Sequence, residues 1–466
     1  MGEENPSFAN RKYIPPWREP YLIGIAGCSG SGKTSIASSI IQQLNVSVLC
    51  LPVVNSEETC KPLTKEQKDL AFNSKWDFDS PGSFDLDLLV QTLKDLKTGK
   101  KVQIPTYSFA QHDRTDKWVT IYGANVVILE GIYALYDERV LEQLDLKIFV
   151  DTDFDVCLAR RLNRDILHRG RELELSIRQW ERFVKPNFMR YIRFTMDNAD
   201  VLVPRGLENE IAINMLSKLI QRQLKEKSAQ HLEDLLQLGK DCKTNDDYVV
   251  VGSTPQIEAI HTTLLSQNTT RDDFVFSFDR VASILVARAL DVLDNYAPMT
   301  VTTPQGVPYH GIKLPYEDLC AVGVIRGGEC FTRAIRSTIP GVRLGKLLIQ
   351  SDSRTGEPKL HTLKLPPCID PPPAGRATAA DLETLQRTKV MLLDTQISSG
   401  AAATMATAVL IDHGVPEENI IVVAYMSSEI GLRRLKAAFP MVRIVVGRVE
   451  RTFFGRFIES RYYGTN

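Results

Sequence analysis

The octapeptide GCSGSGKT at residues 27–34 has the glycine spacing of a loop that wraps phosphate groups. Gly27, Gly30 and Gly32 free the backbone to turn its N–H groups inward, with Cys28, Ser29 and Ser31 set between them. Lys33 is placed to pair with the β- and γ-phosphates of a nucleotide, and Thr34 to ligate Mg²⁺. The preceding run YLIGIAG predicts a buried strand and the residues after the loop a helix, whose N-terminus favours an anion. Such a loop specifies a nucleoside triphosphate and leaves the acceptor open. Glu130, closing the apolar run VVILE, is expected at a second strand end, either beside the metal and its waters or as a structural carboxylate. Transfer to a hydroxyl needs one more group, a carboxylate that accepts the hydroxyl proton. The stretch CLPVVNSEETCKPL at 50–63 offers Glu57 and Glu58 and no Asp.

A scaffold must bring these residues to one edge. From Tyr21 onward the short apolar runs YLIGIAG, NVSVLCL, ANVVILEG, LKIFVD and ADVLVP alternate with amphipathic helical patterns, which predicts an α/β fold with a mainly parallel sheet of the P-loop type. The alternation ends near Ile220. Residues 221–247 are charged and helix-prone without a strand pattern, and read as a connecting helix or linker. A second α/β region opens near Tyr248, with strand candidates LCAVGVIRG, VRLGKLLIQ, KVMLLDT, NIIVVAYM and VRIVVGRV. Within it, residues 364–386 are rich in Pro and Ala and read as a surface excursion. The expected division is a tail at 1–19, a first domain at 20–225, a linker at 226–247 and a second domain at 248–466.

The bulk properties narrow the class. A chain of 466 residues exceeds one ordinary domain. Apolar residues make up 43% and charged residues 24%, the balance of a globular protein with real cores. A net charge of −1 gives no global attraction to nucleic acid or membrane, and neither is expected as a partner. The opening MGEENPSFANRKYIPPW lacks the apolar core of a signal peptide, and no apolar run reaches spanning length. Eight scattered cysteines without a CxxC pair read as reduced thiols of a cytosolic protein.

Beyond the phosphate loop, WDFDSP, IPTYSFAQHDR, FVDTDFDVCLARRLNRDILHRGRELE and RQWERFVKPNF follow in order. With the loop they resemble the uridine–cytidine kinase family from about 21 to 225. The resemblance implies that Asp79 binds ribose, where a carboxylate accepts two vicinal hydroxyls. It places Tyr107 and His112 in the pyrimidine pocket, through ring packing and a hydrogen bond to the base edge. Gln179 would be a further sugar contact. Arg161, Arg164, Arg169 and Arg171 match an arginine-rich lid, with Arg164 and Arg169 joining Lys33 in catalysis and Arg161 and Arg171 on the substrate. Such a lid meets the charge that spreads over the equatorial phosphoryl oxygens. Read apart from the family, the same arginines form a solvated basic helix, although Arg161 and Arg164 share a face.

The match breaks at 50–63. That family continues its second strand into Asp-x-Phe-Tyr before a helix that opens like KEQ. Here VSVLCL and KPLTKEQKDLAF fit on either side, and the join is about three residues too long. Counting back from Lys61 sets Glu57 on the catalytic Asp; counting forward from Leu51 sets Val54 there. Three explanations stay open: Glu57 serves as the base, the chain is a weak or inactive kinase, or the stretch reflects an unusual exon junction.

The second region carries VMLLDTQISSGAAATMATAVLIDHG, read as strand, loop and helix, together with TTRDDFVFSFDRVASILVARAL, VTTPQGVPYHG, AVGVIRGGE and a terminal RYYGTN. These resemble uracil phosphoribosyltransferase, and imply a phosphoribosyltransferase-type α/β domain. In that fold an acid at the strand end binds ribose hydroxyls and small residues wrap the 5′-phosphate at the helix start, which Asp394, Ser399 and Gly400 match. Arg326 falls in the loop used near pyrophosphate. Two departures follow. SSGAA stands where Thr-Gly-Gly-Ser is usual, so Ala401 puts a Cβ where backbone approaches phosphate or takes a positive φ. VERTFFGRFIES replaces the Pro- and Gly-rich turn that holds uracil, so transferase activity is expected to be absent.

The expected activity is phosphorylation of uridine and cytidine at the ribose 5′-hydroxyl, with ATP or GTP and Mg²⁺ as cofactors and a small nucleoside as partner. Two alternatives stay open: an enzyme that also makes UMP from uracil and phosphoribosyl diphosphate, and a regulatory pseudo-enzyme that binds nucleotide without turnover. The resemblance implies a homo-oligomer; the expected location is the cytoplasm, with the nucleus as a further option.

Overall fold

Parallel strands buried on both faces must be apolar on both faces, as the runs from Tyr21 to Gly27 and from Val126 to Leu129 are. The computed structural model describes residues 13–44, 53–55, 61, 63–72, 75–108, 113–240, 248–351, 356–372, 377–451 and 455–465. They form two compact units, one running from 16 to 229 and one from 230 onward that also takes in 13–15. The division falls inside the helix Glu210–Gln237. Tyr13 and Trp17, in the expected tail, are buried. Among the described residues no helix is long and apolar enough to cross a membrane.

In the first unit β1 (Tyr21–Gly27), β2 (Val53–Asn55), β5 (Val126–Glu130), β6 (Leu146–Asp151) and β7 (Val201–Pro204) form one parallel sheet in the order β2-β5-β1-β6-β7. Between β2 and β5 the chain makes a separate antiparallel hairpin, β3 (Val102–Ser108) and β4 (Asp113–Ile121). The expected strand NVSVLCL lies outside the described residues; the second strand is observed at Val53–Asn55. Leu22 and Ala26 of β1 join one core and Ile23 and Ile25 the other, as the two-residue period of a strand requires. Of the helices α1 (Lys33–Leu44), α2 (Lys65–Phe72), α3 (Leu86–Lys97), α4 (Glu138–Leu141) and α5 (Phe154–Leu167), α1 covers the face of Ile23 with Ile36, Ala37, Ile40 and Leu44. Helix α3 covers the other face with Leu89, Val90, Leu93 and Leu96. Helix α6 (Leu173–Gln179) follows α5.

The second unit carries a seven-stranded sheet of β8 (Val249–Val250), β11 (Leu319–Ile325), β12 (Arg343–Ser351), β13 (Pro358–Lys364), β14 (Lys389–Ile397), β15 (Ile420–Ser428) and β16 (Arg443–Glu450). Its order is β13-β12-β11-β14-β15-β16-β8, parallel except where β13 pairs with β12. A second hairpin, β9 (Ala297–Thr302) with β10 (Pro308–Lys313), stands apart from it. The segment expected as a surface excursion is partly inside: Leu365, Cys368 and Ile369 are buried, and residues from Ala379 to Arg387 form a helix that buries Leu385. Its prolines mask an apolar anchor.

Candidate active site

The phosphate loop is built as its residues demand. Strand β1 delivers the chain into the loop, and α1 begins at Lys33. Gly30 takes φ +89° and lies so close to the Cys157 carbonyl that a Cβ has no room. Lys33 Nζ donates to the carbonyls of Gly27 (3.2 Å) and Cys28 (2.9 Å), which holds the ammonium over the loop. Thr34 Oγ1 donates to Glu130 Oε1 at 2.9 Å, so the expected metal ligand and the carboxylate of the neighbouring strand meet. Glu130 is buried and stands in register with Ile25 of β1 and Asn55 of β2. A hydroxyl and one carboxylate suit Mg²⁺, which keeps waters and takes its remaining ligands from phosphates rather than from a protein cage.

Ser29, Asp79, Arg161 and Gln179 are brought together, all buried. Arg161 Nη1 donates to Ser29 Oγ at 2.7 Å and lies 4.0 Å from Asp79 Oδ1. Arg161 Nη2 donates to Gln179 Oε1 at 3.3 Å, and Arg171 Nη1 to the same oxygen at 3.0 Å. Asp79 is fixed from behind, its carbonyl accepting from the Tyr133 hydroxyl at 2.5 Å and its N–H donating to Asp77 Oδ1 at 3.0 Å. Asn187 in turn holds both oxygens of Asp77 at 2.9 Å. Glu57 and His112 lie outside the described residues. Tyr107 is described as backbone alone, opposite Arg114 in the β3–β4 hairpin.

The four expected lid arginines converge on a residue that sequence reading passed over. Asp165, fully buried on α5, receives Arg164 Nε at 2.9 Å, Arg171 Nη1 at 3.2 Å, Arg169 Nη1 at 3.5 Å and Arg161 Nε at 3.6 Å. Burial alone raises its carboxyl, but the guanidinium charges of Arg161, Arg164, Arg171 and Arg169 outweigh it and hold the group below its ordinary value. The signal available in the sequence was a single acid within RRLNRDILHRGR, four residues from Arg161.

In the second unit Asp394 lies on β14, which runs three residues past it to Ile397. Ser399 and Gly400 form the turn into the helix Ala401–Asp412, with Gly400 at φ +80° against the backbone of Gly431. The positive φ therefore falls on Gly400, and Ala401 is the first helical residue, so the expected backbone conflict at Ala401 does not arise from φ. Ser399 Oγ accepts from the Ala401 N–H at 3.4 Å, and its carbonyl accepts from Arg434 at 3.0 Å. Arg326 points to Thr465, with Nη1 and Oγ1 3.5 Å apart, and the next residue, Gly327, packs against the Asp394 carboxylate. That carboxylate is bound by Arg456, which donates to Oδ2 at 3.3 Å and also to Oδ1. Arg456 Nε meets Glu459 at 3.0 Å, and the N–H groups of Phe457 and Ile458 donate to Gln396 Oε1 at 2.8 and 3.0 Å. Sequence reading missed Arg456.

Comparison with known proteins gives the same two halves. Residues 22–212 match the phosphoribulokinase/uridine kinase family model and residues 250–456 the uracil phosphoribosyltransferase model. The chain is 43% identical to a uridine kinase of Saccharomyces cerevisiae, over 97% of this chain and 90% of that protein. It is 40% identical to a uridine kinase of Schizosaccharomyces pombe, over 98% of each. It is 39% identical to uridine-cytidine kinase-like 1 of Mus musculus, over 97% of this chain and 82% of that protein. With likeness of this depth along nearly its whole length, the chain belongs to the phosphoribulokinase/uridine kinase family and is a kinase with a uracil phosphoribosyltransferase-like second half.

Proposed function

We propose that the first unit transfers the γ-phosphoryl group of ATP, or of GTP, to the 5′-hydroxyl of uridine and cytidine, giving UMP and CMP. The observation that carries this reading is the Ser29–Arg161–Asp79 connection, which joins the phosphate loop to the acid expected to bind ribose. The names of the relatives support the nucleoside. In this reading Asp79 and Gln179 orient the sugar, Tyr107 and His112 hold the base, and Glu57 accepts the hydroxyl proton. Lys33 with Arg164 and Arg169 meets the charge on the transferred group, while Arg161 and Arg171 hold the substrate side. Thr34 and Glu130 would hold Mg²⁺, which supplies neutralisation of phosphate charge. The test is uridine phosphorylation by the full chain beside its Glu57→Ala variant. A loss of about 10²–10⁴-fold in kcat is expected of a missing base. Equal turnover removes Glu57 from the role, and no turnover in either removes uridine as the acceptor.

The second unit is proposed to be inactive as a transferase, because Arg456 already binds the acid that would face ribose. Incubation with saturating uracil and phosphoribosyl diphosphate is expected to yield no UMP; UMP formation ends this reading. Assembly as a homo-oligomer is part of the proposal. The β9–β10 ribbon, which exposes Met299, Val301 and Tyr309 on one face, is suited to it. Light scattering on the purified chain decides the mass.

A further inference from the structure

Four guanidinium groups gathered in one place repel one another, and in water they would part. Here they meet one carboxylate. Asp165 sits on α5 one turn beyond Arg161, so the helix itself fixes their distance. The Asp165 carbonyl also accepts the backbone N–H of Arg171 at 3.0 Å, which pins the turn after α5 onto the same residue. The two carboxylate oxygens divide the work: Oδ1 takes Arg164 and Arg169, and Oδ2 takes Arg161 and Arg171. Asp79, 4.0 Å from Arg161, is a second carboxylate beside the cluster, so the four guanidinium groups still outnumber the acids that face them among the described residues, where Arg164 Nη2 is buried with no hydrogen-bond partner.

We infer that Asp165 is the positioning residue of the phosphoryl-transfer site, holding the four arginines in a preformed array before substrate arrives. The inference rests on the proposed role of those arginines. Asp165 touches neither phosphate nor nucleoside in it; it acts through the guanidinium groups. Preorganised charge is effective because its gathering is completed during folding rather than at the reaction step. The arginines do not depend on it equally. Arg161 keeps Ser29 and Gln179, and Arg171 keeps Gln179, when the carboxylate is gone. The described side-chain contacts of Arg164 go to Asp165. Loss of Asp165 should therefore strike kcat more than nucleoside KM.

The experiment is steady-state nucleoside phosphorylation by the full chain and by Asp165→Asn, Arg164→Ala and the double variant, each well below its unfolding midpoint. Asp165→Asn keeps the shape and removes the charge. Its kcat is expected to fall on the order of 10²-fold, the cost of a group misplaced by about an ångström, with KM changed less than about threefold. The double variant should be no slower than the slower single variant, since both changes remove one array. Multiplying losses in the double variant, or a parental kcat in Asp165→Asn, overturn the inference. If Arg164→Ala also keeps the parental kcat, the arginine reading falls with it; if Arg164→Ala alone is slow, only the role of Asp165 is lost. Should Asp165→Asn not fold, Asp165→Glu carries the test, because its carboxylate is displaced by one methylene. A tenfold or greater fall in kcat is then expected, and a parental kcat overturns the inference.

Discussion

Arg456 binds the Asp394 carboxylate with both Nη atoms across 62 residues of sequence. The acid is buried, whereas 35% of the arginine side chain is exposed. Removing one partner of a fully buried pair costs about 3–5 kcal/mol, and access of water to Arg456 reduces this to about 1–3 kcal/mol for Arg456→Ala. Urea unfolding of the second unit should show that loss, and adding Asp394→Asn should recover most of it. Burial raises the Asp394 carboxyl above its ordinary value even with Arg456 present. An acid raised by folding favours the folded state below its unfolded value and loses that advantage as pH rises through its folded value. The Arg456→Ala deficit should therefore shrink as pH is lowered, and a deficit unchanged by acid contradicts the charge explanation.

Gly30 tests the loop. Its φ of +89° and the Cys157 carbonyl both exclude a side chain. Gly30→Ala is expected to cost about 1–3 kcal/mol and to weaken nucleotide binding together with it. Gly82, which has ordinary φ and its nearest outside atom 3.8 Å from a built Cβ, is the control. Gly82→Ala should stay within about 0.5 kcal/mol of the parent in a thermal melt.

Asp294 sets an acid response in the second unit. Lys389 Nζ lies 2.8 Å from its Oδ1 and Arg443 holds the other oxygen. Hydrogen bonding by Lys389 leads the effects that bring its carboxyl down from 3.8 to about 2. A depressed acid lends stability above its unfolded value, and that share is lost as pH falls from 3.8 toward about 2. The shift taken at face value is about 2 kcal/mol, but 54% exposure of the side chain cuts it to roughly 0.5–1 kcal/mol. Asp294→Asn should be less stable than the parent by that amount at neutral pH, and the gap should close as pH falls through about 2. A constant gap across the titration counts against the ion pair as its cause.

What could be read from sequence was what local geometry dictates. The phosphate loop demands small residues at set places, and β1, β5 and β6 announce themselves as apolar runs because a parallel sheet buries both faces. Likeness singles out Asp79, Arg161 and Gln179, and the fold brings them to one point beside Ser29. Asp165 and Arg456 were not found. In sequence Asp165 is one acid in a basic helix, indistinguishable from a solvent-facing charge until the turn after α5 folds Arg169 and Arg171 back onto it. Arg456 acquires meaning only when the C-terminal segment lies across β14, and nothing near residue 456 encodes that partner. Leu365, Cys368 and Ile369 were hidden by the prolines around them, which signal a loop and are silent on whether it is buried.

Thr34 and Glu130 give the most direct test of the chemistry. They reach each other from different elements, the start of α1 and the end of β5, with Oγ1 and Oε1 2.9 Å apart. Two explanations of Glu130 compete: a structural carboxylate that caps Thr34, or a charged group that holds the metal and its waters. Glu130→Gln separates them, since an amide oxygen can accept the Thr34 hydrogen bond and carries no charge. If the role is structural, the variant should melt near the parent temperature and turn over at a similar rate. If charge matters, kcat should fall by about 10²-fold while the melt stays close, and the Mg²⁺ concentration for half-maximal rate should rise. Thr34→Ala removes the hydroxyl and leaves the charge, so its Mg²⁺ dependence should shift in the same direction. The phosphoryl-transfer reading expects that shared shift; a Glu130→Gln variant with the parental rate and parental Mg²⁺ dependence returns Glu130 to a purely structural role.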